Sequence, residues 1–288
     1  MDRFAEKHSR IQHQRDELIA GYPALWRDIT TDWRSSAPGD RGWLIYSANY
    51  LFRTGGVRWA IDPLTLSWRL KAPVAEVDAS VFGDAAFILL THSHADHLDL
   101  ELISALRHFP IRWVVPASIL EQVAGQAGIP RDIIVVAEPL QPLEMSGLRI
   151  IPFEGSHWER LAGGALKGVP SMGYAVEFQG RRWLFPGDTR TYDPTRIPVR
   201  GPVDVLFAHL WLGRGCALES SPPLLDAFCR FCLDQQPRRI VLTHLREFGR
   251  DARDFWDETH LPLVLSKFQE LSSGTPVQPA LTGECFPL

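Results

Sequence analysis

The run "LLTHSHADHLDLEL", Leu89 to Leu102, decides how this chain is to be understood. Its core places His92, His94, Asp96 and His97 within six residues, in a chain of 288 residues that holds only ten histidines. Core packing gives no reason for such a concentration, whereas metal coordination does. Imidazole nitrogens and carboxylate oxygens are ligands for zinc and the other first-row divalent ions. An apolar run, "AAFILL", leads in. At an extended strand end His92 and His94 project to the same side by the period of two. Asp96 and His97 lie beyond the turn and face a second position, so one short loop can start two adjacent sites.

Ligands for the remaining positions are found further along, each where an apolar segment stops. "LRIIPFEGSHW" runs into His157, "GYAVEFQGRRWLFPGDT" ends at Gly187 and Asp188, "VDVLFAHL" ends at His209, and "RIVLTHL" ends at His244. Strand ends carry the loops that hold chemistry on a rigid scaffold. A carboxylate can bridge two ions, and Asp188 is the candidate; His157 and His244 could complete one site each. Between these segments "DLELISALRHF" and "ASILEQVAGQAGI" have helical spacing, and "IRWVVP" and "DIIVVA" read as buried strands. "WLIYSANYLFRTGGVRWAIDP" reads as two strands joined at Thr54-Gly55-Gly56.

Composition sets the outer bounds. Hydrophobic content of 45% and charged content of 22% are those of an ordinary globular enzyme. A net charge of −4 supplies no electrostatic footprint for nucleic acid. No apolar run approaches the roughly 18 residues of a membrane span. The opening "MDRFAEKHSRIQHQRDEL" is too charged for a secretory leader, and four cysteines are too few for a disulfide framework, so a reducing cytoplasm is expected. "CRFC", Cys229 to Cys232, reads as thiols on a helix. Residues 1–40 are expected to form an N-terminal helical arm and 41–288 a single hydrolase-type domain. Phe4, Ile11 and Leu18 recur at a spacing of seven, which suits docking on the body of the protein, with a homodimer contact as the alternative. The tail "SSGTPVQPALTGECFPL" reads as extended.

"THSHADHLD" resembles the H-x-H-x-D-H signature of the metallo-β-lactamase fold superfamily. "SH" at His157, "GDT" at Asp188 and "LTH" at His244 follow in that superfamily's order, and "WAIDP" resembles its first motif, in which the aspartate, here Asp62, braces the metal loop. The resemblance covers about residues 43–250. It implies an α/β fold, the four-layer αββα sandwich. It implies that His92, His94 and His157 bind one metal, that Asp96, His97 and His244 bind a second, and that Asp188 bridges them. "HWER", His157 to Arg160, and "SMGYAVEF" are similar to the branch with ascorbate-phosphate lactonases and N-acyl-phosphatidylethanolamine phospholipases D. Departures stand at "YSANY" with Asn49 and at "FAHLWLGRG" with His209, where that branch usually has other text.

The expected function is a binuclear metal-dependent hydrolase that uses a metal-bridging hydroxide on a small ester, lactone or phosphodiester. Zinc is the first choice of metal, with manganese or iron as alternatives. Asp96 and Asp188 are the candidate catalytic carboxylates. Arg160 and Arg190, with planar forks suited to an anionic group, and His209 are candidates for substrate contact. Trp158 and Trp211 could wall a pocket. Two other classes stand against this expectation: a di-iron redox enzyme on the same fold, which would often place a glutamate among its ligands, and a binding protein that has lost catalysis, which would typically lose ligands.

Overall fold

The structure is a computed structural model that describes residues 3–70, 78–160, 166–190, 192–197, 201–210, 224–250, 252, 255–272 and 274–288, apart from the side chains of residues 3, 67, 68, 158–160 and 166. The chain starts with helix α1 (Arg3–Arg34), followed by strands β1 (Arg41–Leu44), β2 (Tyr50–Thr54) and β3 (Val57–Ile61), helix α2 (Leu66–Leu70), β4 (Phe87–Leu89), helix α3 (Leu100–Ala105), β5 (Arg112–Pro116) and β6 (Ile134–Ala137). Then come β7 (Leu143–Met145), β8 (Leu148–Arg160), β9 (Leu166–Phe178), β10 (Arg181–Phe185), β11 (Val205–His209), helix α4 (Leu224–Asp234), β12 (Ile240–Thr243), helix α5 (Leu261–Leu271), β13 (Val277–Pro279) and β14 (Cys285–Pro287). The strands form two seven-stranded sheets, ordered β14-β1-β2-β3-β4-β5-β6 and β13-β12-β11-β10-β9-β8-β7.

The central strands of both sheets are buried on both faces, and the period of two sorts their side chains between different cores. Phe87 and Leu89 of β4 point into the space between the sheets, where they meet Trp59, Ile150, Tyr174 and Phe207. Ile88 points the other way, towards the helical layer that holds α1 and α3. In the second sheet, Val205 and Phe207 of β11 face the inter-sheet core. Leu206 and Ala208 face the layer that contains α4 and α5. Three cores separate four layers, the αββα sandwich expected from the sequence. Cys229 and Cys232 of α4 are buried in the third core. Burial pushes the Cys229 thiol up to about 12, as suits a packing residue rather than a nucleophile.

The β2–β3 hairpin turns at Gly55 and Gly56 with φ of 57° and 80°, which only glycine adopts without penalty. The tail expected to be merely extended supplies an edge strand to each sheet. β13 pairs parallel with β12, and β14 pairs antiparallel with β1.

Helix α1 is not an appendage. Tyr22, Trp26, Ile29 and Trp33, spaced as one helical face, are buried in the first core. The Tyr22 hydroxyl donates to the Ile45 carbonyl at 2.8 Å and the Trp33 indole N–H to the Phe52 carbonyl at 2.8 Å, across the boundary expected at residue 40. The sequence stripe captured only the weaker half of this face: Ile11 and Leu18 pack at its margin, while Phe4 is 49% exposed. Trp33→Ala is therefore expected to destabilise the whole sandwich by about 3–5 kcal/mol in denaturant unfolding; an unchanged midpoint would show that the helix is dispensable.

Candidate metal centre

The site stands at the ends of strands from both sheets. β3 ends at Ile61, and the next residue, Asp62, adopts φ of 45°, a left-handed conformation that costs a non-glycine residue about 1–2 kcal/mol. The turn drives the Asp62 carboxylate inward, where it is fully buried. It accepts the Thr91 backbone N–H at 2.8 Å, the Thr91 hydroxyl at 2.5 Å and His97 Nδ1–H at 2.8 Å. Thr91 Oγ1 in turn lies 3.0 Å from His92 Nδ1 and accepts its proton. Both imidazoles are thereby fixed with Nε2 pointing away from Asp62.

On the second sheet, His157 lies on β8, Asp188 follows β10, and His244 follows β12. Gly187, with φ of 65°, turns the chain out of β10. His244 is itself left-handed, with φ of 69°, and its N–H donates to the Ser47 carbonyl at 2.7 Å. The two sheets bring seven side chains together in two groups. One holds His92, His94 and His157; the other holds Asp96, His97, Asp188 and His244; within each group the candidate ligand atoms lie within 4.8 Å of one another. Asp188 Oδ2 joins the groups, at 3.2 Å from His244 Nε2, 3.3 Å from His97 Nε2 and 3.7 Å from His157 Nε2.

A cation suits this arrangement. His92 Nε2, His97 Nε2, His244 Nε2, Asp96 Oδ2 and Asp188 Oδ2 are buried without a hydrogen-bond partner among the described residues. Buried polar atoms left unsatisfied are costly, and these five, drawn from both ligand groups, are what bound cations would satisfy. The electrostatics differ between the groups. Burial holds His92 well below the usual imidazole range and His157 down to about 3, so both stay neutral, as ligation requires. Burial would also lower His97, but the carboxylates of Asp188 and Asp96 overturn it and hold its imidazolium well above the usual range. For Asp96 and Asp188 burial works upward and is outweighed by neighbouring histidines, chiefly His97 and His244, so both carboxyls sit well below their ordinary values.

Several residues that complete the site carry no sequence signal. Asn49 Nδ2 donates to the backbone carbonyls of Asp62 at 2.7 Å and Asp96 at 2.9 Å, so this departure from the branch's usual text ties the two metal-loop segments together. Behind Asp96 lies a buried knot in which Arg69 and Arg250 both donate to Glu247. Arg250 also reaches to 3.6 Å from Asp96 Oδ2. Burial, reinforced by Asp96, lifts Glu247 to about 8.

The expected substrate contacts fare differently. His209 Nδ1 lies 2.7 Å from Asp188 Oδ1 and Nε2 lies 3.0 Å from the Tyr50 hydroxyl. Both ring nitrogens are spent on the protein, so His209 is a partner of Asp188 and has none left for a substrate. Arg190 is buried, and its backbone N–H donates to the Ser156 carbonyl at 2.7 Å. After burial, Asp188 and His94, its guanidinium is the next influence on the low His157, which places its charge beside the three-histidine group. The side chains of Arg160 and Trp158, and the whole of Trp211, lie outside the described residues.

The "Beta-lactamase superfamily domain" family model matches residues 60–245. A 4-amino-L-phenylalanyl-[CmlP-peptidyl-carrier-protein] 3-hydroxylase of Streptomyces venezuelae is 30% identical over 132 residues, which is 42% of this chain and 24% of that protein. A UPF0173 metal-dependent hydrolase of Cupriavidus metallidurans is 40% identical over 80 residues, 27% of each chain. The chain thus spans about a quarter of the length of the curated relatives it matches. Among solved structures, the metallo hydrolase Igni18 of Ignicoccus hospitalis superposes with a TM-score of 0.61 at 17% identity, covering 87% of this chain and 99% of that one. CmlA, a diiron beta-hydroxylase from Streptomyces venezuelae, gives 0.58 at 19% identity over 88% of this chain and 54% of that one. At these identities the superpositions show a shared fold.

The unequal protonation of the two groups has a measurable result. A cation entering beside His97 must displace its proton. Affinity there is expected to fall about tenfold per pH unit once the pH drops below the raised His97 value, whereas His92 and His157 compete little. On dialysis at stepwise lower pH, the protein should release one metal equivalent well before the other. Simultaneous loss of both equivalents would contradict the assignment.

Proposed function

The chain belongs to the beta-lactamase superfamily domain family, and from that premise we propose that it is a binuclear metal-dependent hydrolase of small esters, lactones or phosphodiesters. The observation that carries this reading is the pair of ligand groups sharing Asp188 Oδ2. His92, His94 and His157 would hold one ion, and Asp96, His97 and His244 the other, with Asp188 between them. Zinc is the expected occupant; the same donors accept manganese or iron. When bound, a pair of such ions supplies Lewis-acid activation of water and of the substrate's electrophilic centre at neutral pH.

The protein's own part is to orient, to neutralise and to make room. Asp62 and Thr91 set the facing nitrogens of His92 and His97. Asp96 is held too far down to carry a proton at neutral pH, which favours a ligand's role over a shuttle's. The Arg190 charge beside His157 suits an anionic substrate group. A cavity of about 370 Å³ lies between the ends of β5 and β6 and the β8–β9 pair, walled by Pro116, Ala137, Pro170 and Met172, with Ser118 and Glu154 at its polar points. Its wall is fastened to the metal loop, since Met172 N–H donates to the Thr91 carbonyl at 3.0 Å. That volume suits a small molecule. The resemblance of "HWER" to the lactonase and phospholipase D branch supports lactones and phosphodiesters as the first compounds to try.

A second reading, a di-iron redox enzyme on the same fold such as an oxygenase, rests on the 30% identity to the Streptomyces hydroxylase segment and on the fold shared with the diiron beta-hydroxylase CmlA. The three-histidine group favours the hydrolase, because neither candidate group contains a glutamate.

Purified protein should carry about two equivalents of divalent metal and hydrolyse a member of a lactone, ester and phosphodiester panel. His94→Ala and Asp188→Ala should each lower the rate by more than about a hundredfold and reduce the metal content. A metal-loaded protein inert across the panel would defeat the hydrolase reading. Two equivalents of iron with oxygen consumption would put the oxygenase in its place.

A further inference from the structure

Asp188 is the candidate ligand that the two groups share, and a line of polar side chains runs to it through the apolar centre of the sandwich. β11 and β12 are parallel neighbours in a register that sets His209 opposite Thr243. Tyr50 reaches them from the other sheet. Its ring packs among Phe52 and Phe207, each with a centroid separation of 5.6 Å, and Phe185 at 6.2 Å. Its hydroxyl lies 2.6 Å from Thr243 Oγ1 and 3.0 Å from His209 Nε2. His209 Nδ1 lies 2.7 Å from Asp188 Oδ1. All four residues are at least nine-tenths buried.

The protons in this line can be placed by elimination. An ionised carboxylate only accepts, so His209 Nδ1 must donate. In the neutral ring Nε2 then accepts, so the Tyr50 hydroxyl must donate to it. The Tyr50 oxygen is left to accept from Thr243. The line has one direction, Thr243 to Tyr50 to His209 to Asp188. It admits one imidazole tautomer.

We infer that Thr243, Tyr50 and His209 are positioning residues that keep Asp188 Oδ1 engaged by the protein, so that Oδ2 alone is presented to both ligand groups. The distances agree: Oδ1 is occupied by His209, while Oδ2 is the atom that lies near the nitrogens of His244, His97 and His157. Packing offers no reason for the arrangement. Phenylalanine, leucine and valine at these three positions would fill similar space without hydroxyls and an imidazole to desolvate. A carboxylate free to turn could instead give one oxygen to each ion, or both to one, and the spacing between the ions would no longer be set by the protein. Residues that orient ligands in this way typically affect metal affinity by about 10- to 100-fold.

This inference rests on the binuclear-metal reading, and the test separates the two. Zinc affinity is measured for each equivalent by chelator competition, cobalt(II) is used as a visible-spectrum probe, and the metal-free melting temperature reports folding. His209→Ala is expected to weaken both equivalents, by about 10- to 100-fold, and to change the cobalt spectrum, because the residue it releases is shared. His209→Asn, whose amide N–H can still reach Oδ1, is expected to recover most of the affinity. Tyr50→Phe keeps the ring in the core, frees the other tautomer, and is expected to fall between the two; it carries the test if His209→Ala does not fold. Wild-type affinity for both equivalents in folded His209→Ala or Tyr50→Phe would overturn the inference, as would failure of His209→Asn to do better than His209→Ala. A wild-type protein that binds neither zinc nor cobalt would overturn the metal reading, and this inference with it.

Discussion

The buried carboxylate of Asp62 is the interaction on which the site is built. It takes three hydrogen bonds, from the Thr91 N–H, the Thr91 hydroxyl and His97 Nδ1. Through Thr91 it also governs His92. One histidine of each ligand group is therefore oriented by the same side chain. Burial lifts the Asp62 carboxyl above its ordinary range, and the hydrogen bonds from His97 and Thr91 work against that lift. The backbone contributes to the same end. Asp62 N–H donates to the Leu89 carbonyl at 3.0 Å, which locks the left-handed turn after β3 to the end of β4. The parallel pairing of those two strands is what brings Asp62 and the metal loop side by side.

The wider fold explains why all the chemistry gathers at one edge. Strands such as β4, β5, β11 and β12 have apolar cores on both faces, so a charged side chain inside them would be desolvated without a partner. Polar residues gather where the apolar stretch of a strand gives way, and parallel neighbours end at the same level. Four strands of the second sheet, β8, β10, β11 and β12, thus deliver His157, Asp188, His209 and His244 to one place. Three of these are candidate ligands, and the fourth secures the shared carboxylate. Edge strands β13 and β14, drawn from the tail, complete both sheets without occupying the site.

Sequence alone revealed the parts of this design that are local or periodic. His92, His94, Asp96 and His97 advertise themselves by density, and the other candidate ligands by standing where apolar segments end. What it could not reveal are contacts between common residue types far apart in the chain. Tyr50 and Thr243 are separated by 193 positions, and neither a tyrosine nor a threonine in a strand is unusual. Asn49 stood out only as a departure from the branch's usual text and is a brace between two loops. His209 offered the same signal as the ligands, a histidine at a strand end, and its partners alone distinguish it from them. In α1 the apolar stripe was visible, but Trp26 and Trp33 gain their meaning from Phe82 and the Phe52 carbonyl against which they lie.

Charge balance shows why the second ligand group needs more than its own residues. Asp62, Asp96, Asp188 and Glu247 bring four buried carboxyl groups into one neighbourhood. Arg69 and Arg250 answer Glu247, and Arg250 leans toward Asp96. The remaining negative charge is centred on Asp188 and Asp96, and it favours a proton on His97, whose imidazolium is held well above the usual range. That proton stands where a cation's charge would be. A divalent ion that displaced it would bring greater charge to the same carboxylates and coordinate the facing nitrogens as well. The burial that makes this cluster expensive to assemble without an ion is what makes it receptive to one.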